Sequence, residues 1–290
     1  MMFGKSIYHV NQNLGKCFDH KELNGYFNNL TEKVTKDDKK LLEEGCLPLL
    51  EVKKNENVVF PVAVFQFALG CYDLFLSTGD QVYKKKFLEL SDWAIKNQEE
   101  TGGWNNFWYI YPDHPYGAMC QGEAASVLVR AFKETKNNSY LIAAKRALDF
   151  IFLDKSGLCL FEETDDELVL LEYENKPAVL NGWIFAAFGF YDMWLITKDT
   201  KYLDIFNKTV KTIEDYLPRF DNGYWSMYDL DGRIASPFYH KLHISQLEAL
   251  YLTTGNEIFL KYQKTFTKYK KSPFKRLKAF IKKANQKIKE

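Results

Sequence analysis

Residues 236–250 concentrate side chains that can move protons. Tyr239, His240 and His243 lie at the start of an apolar stretch that is predicted to be a helix. The chain has five histidines in all, so two of them within four residues are a notable concentration. Histidine titrates near neutral pH, and a phenol can exchange a proton when a neighbour lowers the cost. The cluster indicates proton-transfer chemistry, although either histidine alone is more often a hydrogen-bonded core residue.

Acidic and phenolic residues recur in the two loop-like segments before this cluster. Glu172 and Tyr173 lie in the first segment, and Tyr228 and Arg233 lie in the second. Several bases around one pocket suit abstraction of a proton from a carbon next to a carboxylate. Such a reaction also needs cations or hydrogen-bond donors for the enolate and an acid for reprotonation. Asn181, after the first segment, is either the N-cap of a helix or an amide for a sugar hydroxyl.

An internal repeat assigns helices to most of the remaining chain. Four stretches share one plan: an apolar helix, a short polar turn, and a more amphipathic helix with an early aromatic residue. The turns begin at Thr78, Thr135, Thr197 and Thr254, and the Gly, Asp or Asn residues after them suit a helix end followed by an N-cap. The four stretches are Phe65–Trp93, Gln121–Phe150, Asn181–Ile213 and His243–Lys268.

This repeat predicts an all-α fold. We expect an open or incomplete α/α toroid of about four helical hairpins, in which the apolar helices surround an axis. An α-solenoid is the competing architecture. Three long loops, at residues 102–117, 162–177 and 221–239, are expected to emerge at the same end of the toroid. Since function concentrates in loops on a rigid scaffold, we expect a cleft there.

Length and composition indicate a folded globular protein with a substantial core. Residues 1–55 do not follow the repeat and are predicted to be a small mixed or extended cap, with one possible helix at residues 36–44. Residues 56–270 are predicted to be the toroid, and residues 271–290 a basic amphipathic helix. The five cysteines lack Cys-x-x-Cys pairing and a His partner at zinc spacing, which predicts reduced thiols, no metal site and a cytoplasmic protein.

Basic residues are concentrated at the C-terminal end of the chain. Residues 261–290 hold twelve Lys or Arg and one acid, although the net charge of the chain is +1. Two interpretations fit equally: a helix that docks on an anionic membrane surface or acidic partner, or a helix packed on its own domain. The first would place the protein at the inner face of a membrane, and the acidic remainder argues against nucleic acid. The apolar stripe of this helix comprises Phe274, Leu277, Ile281, Ala284 and Ile288.

Several separated motifs make the chain resemble the D-glucuronyl C5-epimerase C-terminal domain family, which acts on heparan-type polysaccharides. The matching segments occur in family order and cover roughly residues 58–262. They include "PVAVFQFALGCYD", "LEYENKPAVLNGWIFAAFGFYD", "LPRFDNGYWSMYDL" and "SPFYHKLHISQLEALYLTTG". The resemblance implies a carbohydrate isomerase without a cofactor, whose substrate is a uronate-containing glycan.

The resemblance also implies roles for individual residues. The catalytic tyrosines of the family fall on Tyr173, Tyr228 and Tyr239, and the acid before the first of them falls on Glu172. In the family's reaction one face of a uronate loses the C5 proton and the other face receives one. Glu172 and Tyr239 would be the opposed acid and base, while the other two tyrosines would orient substrate or relay protons. The expected substrate-binding residues are Gln66, Trp104, Gln121, Asn181, Arg233, His240 and His243.

Departures from the family pattern leave the substrate open, and rival functions stay open as well. Glu174 stands where the family has proline, Asp231 stands where animal members have arginine, and their N-terminal β domains and membrane anchor are not expected here. A uronate lyase would share the C5 carbanion. A toroid hydrolase would need two separated carboxylates, such as Glu172 with Asp229 or Glu123. A non-catalytic glycan-binding or assembly protein is the third alternative.

Overall fold

The computed structural model describes residues 10–36, 39–53, 56–153 and 159–289, and this part of the chain is mainly helical. The helices are α1 (Thr31–Thr35), α2 (Pro61–Thr78), α3 (Gln81–Lys96), α4 (Ala118–Thr135), α5 (Asn138–Ile151), α6 (Leu180–Thr197), α7 (Thr200–Tyr216), α8 (Pro237–Thr254), α9 (Glu257–Lys271) and α10 (Pro273–Lys289). Two antiparallel pairs of short strands join them: β1 (Leu50–Lys53) with β2 (Glu56–Val58), and β3 (Phe161–Glu163) with β4 (Leu168–Leu170).

The four predicted hairpins are confirmed as α2–α3, α4–α5, α6–α7 and α8–α9. The first helix of each pair is buried over most of its length, while the second buries mainly one face. Inner helices α4 and α6 approach closely at Gly122, which has no Cβ atom. A Cβ atom there would lie only 2.7 Å from the Cα of Ala186. This arrangement of inner and outer helices is the incomplete α/α toroid that the repeat predicts.

The turn of every hairpin uses the same hydrogen bonds. The N-cap side chain of the outer helix accepts from the amide two residues later, for example Val82 to Asp80 at 3.0 Å. The hydroxyl of the preceding threonine, Thr78 in this turn, accepts from the N-cap amide at 3.2 Å. The inner helix ends on a left-handed residue, which is glycine in two turns and lysine in the other two. The repeated Thr-x-Asp/Asn motif is therefore a helix stop joined to an N-cap.

The N-terminal segment, residues 10–36, connects all four inner helices and shares their core. Within the range 36–44, where a helix is predicted, a 3-10 helix spans Lys39–Leu42, α1 ends before the range at Thr35, and residues 37–38 lie outside the described part. The contacts with the four inner helices, in order, are Tyr26 N to Asp73 Oδ1 at 2.9 Å, Arg130 Nη2 to Gly25 O at 3.1 Å, Phe27 on Phe188 with ring centroids 3.8 Å apart, and Asn28 Nδ2 to Ser245 Oγ at 3.0 Å.

A buried ion pair joins this segment to the centre of the toroid. Arg130 on α4 donates to both carboxylate oxygens of Asp192 on α6, at 2.6 and 3.2 Å. Its remaining N–H groups donate to the backbone carbonyls of Asn24, Gly25 and Ser126. Since both charges are almost completely removed from water, each depends on the other and on these hydrogen bonds.

Helix α2 is, within the described residues, the one helix long and apolar enough to cross a membrane by length and composition. Most of it, 67%, is buried inside the protein by the other helices. Burial of this kind is what an inner helix of the toroid requires, because it is apolar on nearly every side.

We expect Arg130→Met to lower the free energy of unfolding by about 3–5 kcal/mol, because it leaves the buried Asp192 without its counter-charge. Chemical denaturation measures this loss, and Arg130→Met/Asp192→Leu should recover part of it. The matched control is Lys201→Met, which removes an exposed ion pair with Asp149 and should cost less than about 1 kcal/mol. A loss no larger for Arg130→Met than for the control would contradict this account.

Candidate active site

Backbone hydrogen bonds join the two loops that carry Glu172 and Tyr228. The amide of Leu180 donates to the carbonyl of Tyr228 at 3.1 Å. The amide of Leu230 donates to the carbonyl of Ala178, also at 3.1 Å. This short antiparallel bridge fixes Tyr228 beside the start of α6, where the segment after Glu172 ends.

Two glycines make the space in which Glu172 lies. A Cβ atom on Gly182, in the first turn of α6, would lie 2.2 Å from Oε2 of Glu172. A Cβ atom on Gly117 would lie 2.0 Å from the backbone oxygen of Glu172. The neighbouring residue is also fixed, because the amide of Ala118 donates to the carbonyl of Leu171 at 2.8 Å. Any side chain larger than hydrogen at Gly182 must therefore displace the carboxyl group.

Three phenols follow Glu172 as a row of neighbouring side chains. Tyr173 lies close to the Glu172 carboxyl and to Tyr228, and Tyr228 lies close to Tyr239. The rings of Tyr228 and Tyr239 have centroids 4.8 Å apart. Tyr239 lies in the first turn of α8, where its amide donates to the hydroxyl of Ser236 at 3.4 Å. The predicted convergence of Glu172, Tyr228 and Tyr239 is thus present, and Tyr173 joins them.

Burial sets the protonation of this cluster. It raises the pKa of Glu172 to about 7, against the opposing effects of the Tyr173 hydrogen bond and the charge of Arg233. Burial and the nearby carboxylate also raise the pKa of Tyr239 and Tyr228, so both phenols keep their protons at neutral pH. The cluster therefore combines a carboxyl group that can change charge near neutrality with phenols that are proton donors.

Arg233 supplies a positive charge at the edge of the cluster. Its guanidinium lies 5.4 Å from the centre of the Tyr228 ring and forms an ion pair with Asp229. Asp229 is buried and also accepts from the amides of Asp231 and Arg233, each at 3.0 Å. With 40% of its side chain exposed, Arg233 remains accessible to an anionic ligand. Asp231, where animal members have arginine, is exposed in the turn beside it.

The first of the three predicted loops also reaches the cluster. The Phe107 ring stacks on Tyr173 with centroids 4.6 Å apart, and Tyr111 packs edge-on against the same ring at 5.8 Å. Trp108 and Tyr111 are 43% and 41% exposed. The prediction that the three loops meet at one end is confirmed, and their meeting point has aromatic walls.

His240 and His243 are neutral core residues. Nε2 of His240 lies 3.0 Å from the carbonyl oxygen of Phe266 and must donate to it, so Nδ1 accepts from the Ser226 hydroxyl at 2.8 Å. The same hydroxyl then accepts from Nδ1 of His243 at 2.9 Å. Burial lowers the pKa of both rings to about 3. The prediction that His240 binds substrate is wrong in this structure, because both of its nitrogens bond inside the protein.

Trp104 and Gln121 hold each other and are also corrected from substrate-binding to structural residues. Trp104 is buried, and its indole N–H donates to the carbonyl of Ala94 at 3.1 Å. The Gln121 side chain accepts from the Trp104 amide at 3.1 Å and donates to the carbonyls of Trp104 and Gly117. These bonds attach the first loop to the start of α4 and leave neither side chain for a ligand.

Gln66 positions a second buried carboxyl group. Its amide donates to both oxygens of Glu123, at 2.9 and 3.2 Å. Burial raises the pKa of Glu123 to about 8, and the charge of Glu172 adds to this rise. The two carboxyl groups therefore influence each other, and a direct substrate contact for Gln66 stays a prediction.

Asn181 is the second residue of α6, so the interpretation as its N-cap is wrong. The helix begins at Leu180, and Val179 occupies the N-cap position without a side-chain hydrogen bond. The backbone carbonyl of Asn181 accepts from the side chain of Gln246 at 3.0 Å, which leaves its own amide side chain for another partner.

Eleven buried side-chain atoms of the described residues have no hydrogen-bond partner, and four of them are acceptors near the candidate site: Glu172 Oε2, Asn181 Oδ1, His243 Nε2 and Gln246 Oε1. Glu172 contacts Gly182 in the first turn of α6, and Asn181 is the residue before this glycine. The carbonyl of Asn181 accepts from Gln246 on α8, the helix that also carries His243. Buried acceptors require donors, and hydroxyl groups are donors that a carbohydrate carries in number. Substrate contacts of Asn181 and His243 stay predictions that fit this chemistry.

Glu174, where the family has proline, has its own local partners. It is buried and its carboxyl lies 3.8 Å from the His114 ring. Burial raises the pKa of Glu174. No group of three His, Cys, Asp or Glu residues in the described ranges is arranged to hold a metal ion.

Gly182, Gly117, Phe107 and Tyr111 also shape the site, although no motif in the sequence points to them. Gly182 is the most recognisable of them, because glycine is unfavourable inside a helix and its presence there often indicates a close contact. Here the contact is with the Glu172 carboxyl packed against it. Contacts of this kind join distant parts of the chain and cannot be seen in local patterns.

We expect the carboxyl of Glu172 to titrate near pH 7, since burial disfavours its charged form. The infrared band of protonated carboxyl groups should then decrease as the pH rises through about 7, and Glu172→Gln should remove that component. Exposed Glu257 is the matched control, and Glu257→Gln should leave the component in place. A Glu172 component that titrates near the pKa of an exposed glutamate would contradict the burial of this carboxyl against Gly182.

Comparison with known proteins gives a family for the chain. Residues 77–268 match the family described as D-glucuronyl C5-epimerase C-terminus. The D-glucuronyl C5-epimerase of Caenorhabditis elegans is 25% identical over an alignment of 231 positions, which covers 68% of this chain and 38% of that protein. An uncharacterized protein of Methanocaldococcus jannaschii is 34% identical over an alignment of 154 positions, which covers 51% of this chain and 50% of that one. The match thus spans half or less of these relatives.

A solved structure shares the fold. Unsaturated glucuronyl hydrolase from Streptococcus agalactiae superposes with a TM-score of 0.51 at 15% identity, covering 90% of this chain and 74% of that one. At such low identity the likeness concerns the arrangement of helices alone. The family match, in contrast, covers well over half of the sequence and includes the loops of the candidate site. The chain belongs to the D-glucuronyl C5-epimerase C-terminal family.

Proposed function

We propose that this protein inverts C5 of a uronate residue in an oligosaccharide or polysaccharide. One observation carries the proposal: a buried carboxyl group with an unpaired oxygen, Glu172 Oε2, lies in one cluster with Tyr173, Tyr228 and the helix α8 phenol Tyr239. Inversion at carbon needs two proton-transfer groups that reach opposite faces of one atom. Glu172 and Tyr239 come from different elements and can flank a sugar ring in this way.

The first step is removal of the C5 proton by the Glu172 carboxylate. The C5–H bond breaks, the proton passes to Oε2, and the electron pair moves into the substrate carboxylate to give an enolate. Arg233 at the edge of the site and the Tyr228 hydroxyl can stabilise the added negative charge. A carboxyl with a pKa of about 7 is a stronger base than an exposed glutamate and is still about half ionised near neutral pH.

The second step is donation of a proton by Tyr239 to the other face of C5. The phenol O–H bond breaks, the new C5–H bond forms, and the configuration is inverted. Tyr239 is then a phenolate and Glu172 a neutral acid. The neighbouring hydroxyls of Tyr173 and Tyr228 offer a route by which the proton on Glu172 returns to Tyr239. Each turnover then leaves both groups ready for the next.

The rival chemistries make different demands on the same residues. Asp229 suits a hydrolase poorly, because its oxygens are bonded to Arg233 and to two backbone amides. A lyase would use the same base but would expel the C4 substituent from the enolate, which yields an unsaturated product. A binding protein would take up no solvent deuterium into the glycan. The products formed in D₂O therefore distinguish an epimerase, a lyase and a binding protein.

We expect Glu172→Gln and Tyr239→Phe each to reduce turnover by about 10²–10⁴-fold, because each removes the proton-transfer group of one face. The measurement is NMR of a glucuronate-containing oligosaccharide in D₂O, which reports deuterium and inverted configuration at C5. Half-buried Tyr262 and exposed Glu257 provide the controls Tyr262→Phe and Glu257→Gln, which should keep full activity. If both Glu172→Gln and Tyr239→Phe incorporated deuterium at C5 as fast as the parent protein, the assignment of these two residues would be overturned.

The pH dependence of kcat/KM should follow the ionisation of Glu172. Since the base must be charged, kcat/KM should rise with pH and level off above about 7. The Arg233 charge lowers the pKa of Glu172, so Arg233→Gln should move this rise to higher pH. Initial rates across the pH range check both statements. A rise that stays in place in Arg233→Gln, or one centred near the pKa of an exposed glutamate, would exclude Glu172 as the base.

A further inference from the structure

Helix α10 turns its apolar stripe to solvent. Phe274 and Ile288 are 86% and 83% exposed, and Leu277 and Ile281 between them are 59% and 52% exposed. A contiguous row of large apolar side chains on a surface is a mark of an interaction site. The sequence left open whether this stripe packs on its own domain, and it does not pack there in the described part of the chain.

The opposite face of α10 is attached to the toroid. Gln286 accepts from the amide of Ile234 at 3.0 Å and donates to the carbonyl of Gly232 at 2.8 Å. Lys275 donates to the carbonyl of Gly223 at 3.1 Å. Ala279, on the same face, is buried. Rotating the helix to bury the stripe would break these bonds, so the outward direction of the stripe is built into the fold.

All charged residues of α10 are basic, and they lie on both sides of the apolar stripe. From Pro273 to Lys289 the helix has seven Lys or Arg residues and no acid. At 100° per residue, Lys278 and Lys282 lie on one side of the stripe, and Arg276 and Lys287 lie on the other. An apolar stripe between rows of lysine is the pattern of helices that lie in the interface of anionic membranes.

We propose that α10 docks this protein on the surface of an anionic lipid bilayer. The apolar stripe enters the boundary between headgroups and acyl chains, while the flanking lysines contact anionic headgroups. A second copy of the chain fits less well, because two strongly basic helices repel each other. The loop bound by Gln286 also carries Tyr228, so a docked membrane lies beside the site loops.

The test is co-sedimentation of the full chain with lipid vesicles that contain no glycan. The protein should bind vesicles that include phosphatidylglycerol, bind them less at high salt, and bind little to pure phosphatidylcholine. Leu277→Glu/Ile281→Glu should lower the partition coefficient at least about tenfold, because two inserted apolar side chains become charged. Ile142, a 61% exposed isoleucine on α5, gives the matched control, and Ile142→Glu should bind like the parent.

Three results would overturn the proposal. The parent could fail to prefer anionic vesicles, or the double variant could bind them as the parent does. The parent could also elute as a dimer that the double variant dissociates, with no vesicle binding, which would make the stripe a contact between copies. Because the substitutions lie on exposed positions, circular dichroism should show an unchanged fold. None of these results depends on epimerase activity, so the two proposals fail independently.

Discussion

The contact between the Glu172 carboxyl and the first turn of α6 is the interaction on which the site depends. Gly182 leaves just enough room for the carboxyl, and this close packing removes it from water. Removal from water raises its pKa into the neutral range, where a carboxylate is both available and basic. The same placement brings it within hydrogen-bond reach of Tyr173 and so connects it to the other phenols.

The toroid makes this contact possible because the loops before three inner helices meet at one end. Glu172 precedes α6, while Tyr228 and Tyr239 precede or begin α8, and the two loops are bonded to each other through their backbones. The N-terminal segment connects the first inner helix with the last through Tyr26 and Asn28, and the buried Arg130–Asp192 pair holds it in place.

Local sequence patterns predicted the scaffold well, because the hairpins depend on local chemistry. A threonine, a left-handed residue and an Asp or Asn N-cap within three positions specify each turn. The catalytic candidates came from resemblance to a family, and their convergence is present. Predictions failed where the partner of a side chain is distant in sequence. Trp104 and His240 carry the residue types of a ligand site, but Ala94 and Phe266 already occupy their polar atoms. Asn181 resembled an N-cap, yet the helix begins before it.

In the proposed reaction, Glu172 and Tyr239 act on opposite faces of one carbon. A crystal structure with a bound uronate oligosaccharide would show this arrangement. We expect C5 to lie between Glu172 Oε2 and the Tyr239 hydroxyl, each within about 3.5 Å and on opposite sides of the ring plane. A bound uronate with both groups on one side of the ring, or with C5 out of reach of either, would contradict it.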